Sequence, residues 1–361
     1  MKIIKLVVCC LLGLSCLNIP MSQSETITIG KGTGVVWEGM PFNVTLDKML
    51  YNSSLQLKYG LLVISSHKQE CMSSTNLTNI DGYPVLKITE GVGLLPRATG
   101  VVNFKLYNGT SASLTGTLGL PETEGIGVNN EIVTSSPGYG WCLPPSMSPS
   151  SNFYAAMEPR VVNIAGSWVM IADGSQSSSE IQLQPMYAAS LAAGTGTGDL
   201  TTAILPSNIT LRVSTLECSV DTVTAINFGS VSSNTQQNSE LATVTAPLNI
   251  TCGQPTDQID ANINVQFRAI SGLYNNTPTQ LSLDQGGGYI TGEINNVTGS
   301  GDCGLTSGIT FDNQQIKLGN ITTADSTKVL NNNVTWRLCS GGSNLPVGDV
   351  TASTEMLVTF N

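Results

Sequence analysis

The stretch ATVTAPLNITC, residues 242–252, places Ala242, Val244, Ala246, Leu248, Ile250 and Cys252 on one face and Thr243, Thr245, Asn249 and Thr251 on the other. Such alternation marks a half-buried β-strand, because successive side chains leave a strand on opposite sides. The same pattern recurs outward along the chain at 26–29, 100–107 (GVVNFKLY), 180–183, 208–213 (NITLRV) and 349–360. Clusters of Gly, Asn, Ser and Pro separate these runs, and helical periodicity is almost absent. The expected fold class is all-β, built as β-sandwiches.

Composition narrows the role. Of 361 residues only 11% are charged, with 15 basic, 25 acidic and one histidine, a net charge of −10. A chain this acidic offers no electrostatic footprint for nucleic acid or anionic lipid. One histidine argues against His-based catalysis and His-ligated metal, so no cofactor or metal is expected. At about 150 residues per domain, the length suggests two domains, each with its own core. The glycine-rich run at 194–198 lacks the lysine and helix of a phosphate loop and reads as a connection between strands.

The chain begins as an export signal, residues 1–22. Lys2 and Lys5 precede an apolar run at 6–17, too short to span a bilayer, and Ser22 or Ser24 offers a small residue for cleavage. Removing the signal takes away Cys9, Cys10 and Cys16 and leaves six cysteines. An even count in an exported chain reads as disulfides, with fifteen possible pairings. Sequential pairing, Cys71–Cys142, Cys218–Cys252 and Cys303–Cys339, is the simplest because it keeps each bridge within one domain.

Composition shifts near residue 214. Residues 23–213 hold three of the four Trp and seven of the nine Tyr, so this half is the better recognition surface. Ser214, Thr215, Leu216 and Glu217 read as a short polar joint before Cys218. The boundaries are therefore 23–213 and 214–361.

The second half carries a resemblance. Cys218-Ser-Val-Asp, then Ile226-Asn-Phe-Gly-Ser-Val231, then LATVTAPLNITC at 241–252, resembles the opening of a pilin domain of chaperone–usher fimbriae. Phe360 is penultimate and Gly348 stands fourteenth from the end, where that family carries an aromatic and a glycine. The resemblance implies an immunoglobulin-like sandwich lacking its last strand. It also implies a groove along Gly348, Val350, Ala352, Thr354, Met356, Val358 and Phe360. A periplasmic pilus chaperone, an outer-membrane usher and a strand donated by the next pilus subunit are the implied partners. Strand addition would supply main-chain hydrogen bonds along the open edge while apolar side chains fill the groove. The competing reading of Phe360 is an ordinary core aromatic. A separate β-domain of about 190 residues stands where ordinary pilins carry a donor strand, which suits a fibre tip; the expected location is the fimbrial tip at the bacterial surface.

Residues 23–213 resemble more faintly the N-acetylglucosamine-binding fimbrial lectins, through Ile88-Thr-Glu-Gly-Val92-Gly93-Leu94-Leu95 and Gly140-Trp141-Cys142. In that family a Trp–Cys pair closes a disulfide and the Trp helps line a shallow sugar site, so Trp141 is carried over. The sequence departs from the family at Gly100, where an acidic sugar ligand is expected, and in the proline-rich Leu143-Pro144-Pro145. Tyr139, Ser150 and Asn152, with Thr99 from the loop after Leu95, are further candidates for a host glycan, since lectin sites pair an aromatic face with uncharged polar groups. The competing readings are a core Trp packed on its disulfide for Trp141, and plain loop residues for the other four. Trp37, Trp168 and Trp336 read as core, and His67 as part of a solvated loop.

The function implied is a fimbrial tip adhesin that attaches bacteria to host glycans. An enzyme is not expected, since no G-x-S-x-G occurs and no acid pair is singled out. Two rivals stay open: a non-binding minor pilin or adaptor subunit, and a secreted immunoglobulin-like glycoprotein. The second draws on ten Asn-x-Ser/Thr sites, which chance explains in a chain this rich in Asn, Ser and Thr.

Overall fold

The structure is a computed structural model that describes residues 25–191 and 200–361; the expected export signal and the glycine-rich run at 194–198 lie outside the described residues. Among the described residues all regular structure is β, apart from three single 3₁₀ turns. The protein is all-β with two large hydrophobic cores, one drawn from residues 27–213 and one from 216–360.

The first core is built on a sheet with strands in the order Ile132–Thr134, Glu124–Ile126, Ser111–Gly119, Val92–Lys105, Glu158–Asp173 and Thr33–Leu50. Gly100, Val102 and Phe104 point inward while Thr99 and Asn103 are exposed, the alternation read from the sequence. Toward the other end of the same strand, 92–96 is buried on both faces beside the equally buried 168–172. A continuous apolar run of this kind belongs to strands covered from both sides. One cover is a smaller sheet of Cys142–Leu143, Leu62–Ser65, Met186–Ser190 and Leu200–Leu205. Trp168 reaches toward it, donating from Nε1 to the Ile204 carbonyl at 3.2 Å.

The second core is a sandwich. One sheet runs Glu217–Thr222, Glu240–Gly253, Thr327–Ser340, Gly288–Ile294 and Leu281–Ser282; the facing layer is Thr354–Phe360, Ala261–Ala269 and Ile316–Ile321. Ala246, Leu248, Ile250 and Cys252 face inward, opposite Ile263, Val265 and Phe267. The three bridges are Cys71–Cys142, Cys218–Cys252 and Cys303–Cys339. Cys218 and Cys252 stand directly opposite in register, so their bridge staples the first two strands of the sandwich.

The two cores share a sheet. Ser179–Gln182, Ile209–Val213 and Glu25–Ile29 from the first half continue through Thr354–Phe360, Ala261–Ala269 and Ile316–Ile321 of the second, joined where Thr28 pairs with Phe360. The connection at 214–217 is not the free polar joint its composition suggests. Ser214 N–H donates to the Ile29 carbonyl at 2.9 Å, Lys31 N–H donates to the Leu216 carbonyl at 2.8 Å, and the Leu216 side chain is fully buried. Composition cannot register this, because one apolar residue in four decides it.

Charges of alternating sign cross the same junction. Arg97 Nη1 lies 3.2 Å from both Glu38 Oε2 and Glu355 Oε2, and Arg268 reaches Glu355 Oε2 at 2.7 Å through Nη2 and 2.9 Å through Nε. Gln266 Nε2 adds a bond to the Glu38 carbonyl at 3.2 Å. Partial burial raises the pKa of Glu355, but hydrogen bonds and charge from Arg268, reinforced by Arg97, outweigh it and hold the carboxyl below the ordinary range.

Two outcomes follow for the junction. A Cβ at Gly30 would sit 2.1 Å from the Leu216 carbonyl oxygen and 2.7 Å from Phe360 Cε2, contacts that backbone cannot relieve. We therefore expect Gly30→Ala to cost about 1–3 kcal/mol by overpacking, read as a lower melting temperature with faster proteolysis at 214–217. The depressed Glu355 pKa gives stability that is present above the ordinary carboxylate range and lost as pH falls through and below it. Glu355→Gln should remove that part of the acid sensitivity in melts recorded across the range; an unchanged pH profile would contradict the assignment.

Candidate functional site

Strand Thr354–Phe360 pairs residue by residue with Ala261–Ala269 along one edge only. On its other edge, among the described residues, the single partner is Thr28 opposite Phe360. Across from that open edge, strand Glu217–Thr222 stops where Thr222 pairs with Leu248, and 223–233 continue with no backbone ladder. An apolar groove of ≈ 550 Å³ lies between these two banks. Its floor includes Leu248, Phe267, Leu281, Ile290, Val334 and Trp336, and Phe267 meets Trp336 edge-on at 6.0 Å. The groove thus joins an unpaired strand edge to an apolar floor, which is the pair of features that strand addition requires.

The residues read from the sequence divide here. Val350, Ala352, Thr354 and Met356 line the groove. Val358 packs against the second core, and Phe360, 6% exposed, lies beyond the groove at the junction, where it lines a separate hollow with Ile27 and Trp37. The strand begins at Thr354 rather than 349, so Val350 and Ala352 form the bank without being strand. Gly348 turns the chain ahead of that bank at φ +103, a conformation a Cβ rarely permits. Sequence reading did not find the opposite bank, 222–228, nor Trp336 in the floor. Alternation fades over 223–233 because that backbone joins no sheet.

In the first half, Trp141 is 1% exposed and belongs to the core. Its backbone carbonyl accepts from Ile64 N–H at 3.0 Å, and no ring face is open for stacking on a sugar. Ser150 is exposed and bridged to Leu55, Asn152 is exposed beside it, and neither lines the hollows around Tyr139. Thr99 does not lie on a loop after Leu95; it is mid-strand, paired with Thr117 and Ala165. Tyr139 alone stands half-exposed at the rim of several hollows, on a short strand paired with Met72–Ser73. The structure therefore does not bring the five candidates together.

No family model and no curated protein matches this chain. Solved structures do. A CFA/I chaperone–tip adhesin complex matches at 9% identity and TM-score 0.26, over 92% of this chain and 94% of that one. The CupB6 tip adhesin from Pseudomonas aeruginosa matches at 14% and 0.27, over 91% and 88%. A chaperone–tip adhesion subunit pre-assembly complex from the archaic chaperone–usher Csu pili of Acinetobacter baumannii matches at 13% and 0.24, over 93% and 97%. Such scores leave strand-by-strand correspondence unspecified, and the functional reading below rests on the groove and its open edge.

Removing the buried indole of Trp141 should cost about 3–5 kcal/mol, the usual range for a large aromatic truncated in a core. A Trp141→Ala variant that melted like the wild type would put the residue outside the core.

Proposed function

We infer that this protein is a tip adhesin of a chaperone–usher fimbria. In this reading residues 214–361 are a pilin domain, held in the fibre by a strand from the next subunit. Residues 23–213 are the adhesin domain and bind a host glycan. The observation that carries the reading is the open edge of Thr354–Phe360 above a floor that includes Phe267, Val334 and Trp336. An extended apolar segment seated there would complete a ladder along the free edge and bury its alternate side chains. A periplasmic chaperone would hold that place first, and the usher would exchange it for the subunit strand. The three cross-bridges suit passage through an oxidising periplasm. A non-binding adaptor would share the groove, so it is the first half that separates the two readings.

The test is occupancy of the groove. Expressed without a chaperone, the full chain should be lost to aggregation or proteolysis, and co-expression should rescue it as a soluble one-to-one complex. Met356→Asp, which sets a charge where a donor side chain must pack, should abolish that rescue. Val329→Asp, at a side chain 53% exposed away from the groove, should leave it intact. A soluble wild-type monomer that melts cooperatively without any partner would overturn the reading.

A further inference from the structure

The hollow beside Tyr139 has a chemistry that the fold does not account for. Behind its tyrosines lies the Cys71–Cys142 bridge, which packs with Val63, Ala189 and Leu191 as a small cluster apart from the two main cores. Tyr59 and Tyr139 lie against this cluster, each half-exposed. The backbone beside Tyr59 sits directly on the bridge: a Cβ at Gly60 would come within 2.6 Å of Cys142 Sγ. Both tyrosines thus rest against a cluster held by a covalent bridge. They line a space of ≈ 670 Å³, and among the described residues neither phenol oxygen has a hydrogen-bond partner.

The rim is cationic. Lys58 Nζ lies 5.0 Å from the centroid of the Tyr59 ring, and Lys68 Nζ lies 5.3 Å from that of Tyr187. Among the described residues neither lysine has a carboxylate partner. Elsewhere in the first half, Lys87, Arg97, Lys105 and Arg212 are ion-paired, while among the described residues Lys31 and Lys48 are not. In a chain of net charge −10, two ammonium groups without a carboxylate partner line one hollow together with two tyrosines. His67 and Glu70 complete the rim, 3.9 Å from one another, so the one nearby carboxylate faces the imidazole. A lysine resting on an exposed tyrosine is held weakly and is free to swing to an anion, which binds it more strongly.

Building on the adhesin reading, we propose that this hollow is the receptor site and that its ligand is an acidic saccharide. The pyranose ring packs on Tyr139, and its carboxylate or sulfate group is held by Lys58 and Lys68. Tyr59, pinned on the bridge, offers its hydroxyl to a neighbouring sugar hydroxyl.

The test presents lactose, sialyllactose and sulfated lactose to the full chain recovered from the periplasm as its one-to-one chaperone complex. At least one acidic form should bind tenfold or more tighter than lactose, weakening as salt is raised, and the sialylated and sulfated arms tell carboxylate from sulfate. Lys58→Gln with Lys68→Gln should erase that preference while leaving the melting temperature unchanged. Tyr139→Ala should weaken all binding, and Tyr139→Phe should retain most of it. Equal binding of neutral and acidic forms, or a preference that survives the double lysine variant, would overturn the site while leaving a glycan-binding adhesin standing. Absence of binding to any saccharide, in a chain that still pairs with its chaperone, would overturn both the site and the glycan-binding part of the functional reading and favour the adaptor.

Discussion

One strand edge without a backbone partner governs the whole arrangement. Thr354–Phe360 spends one edge on Ala261–Ala269 and leaves the other facing an apolar floor. Free main-chain donors and acceptors beside an apolar floor of buried Phe267 and half-buried Trp336 make a surface that water satisfies only in part. An apolar groove runs along that edge, and among the described residues the segment 223–233 lines it without joining a ladder.

The far end of the same strand is committed to the other core. Phe360 pairs with Thr28 and packs by Gly30, while Glu355 takes part in the chain of charges formed by Glu38, Arg97, Glu355 and Arg268. Glu38 is almost fully buried and ion-paired with Arg97, and Arg97 in turn is shared with the second half. Separating the halves would leave a buried carboxylate with a cation that has lost one of its two partners. The junction is therefore defined in orientation as well as tied by the chain.

Much of this was legible in the residues because alternation is a direct consequence of strand geometry. The even-numbered face of 242–252 turned inward as read, whereas Val350 and Ala352, read as strand in the run 349–360, line the groove ahead of a strand that starts at Thr354. Reading failed where local pattern carries no information on what lies across a gap. Trp141 beside a cysteine could equally face a sugar or a core, and its burial is set by the layers around it. Thr99 reads from the sequence as part of a loop after Leu95, yet the strand runs unbroken from Val92 to Lys105 and Gly100 is a tight fit in the sheet, with Leu62 Cδ2 at 3.0 Å from where its Cβ would be. Lys58, Lys68 and Tyr139 come from separate stretches of the chain, and only the fold brings their chemistry to one rim.

The shared six-stranded sheet has a mechanical meaning. A tug on any strand seated in the groove would pass along Thr354–Phe360 and into Glu25–Ile29, then sideways into the parallel strand Ile209–Val213, without leaving the plane of one sheet. The narrowest point on that load path is the single Thr28–Phe360 contact, flanked by the Arg97 ion pairs and the Lys31–Leu216 hydrogen bond. Under tension the two halves would part there first, each keeping its own bridges and core, and the covalent link through 214–217 would then carry the strain.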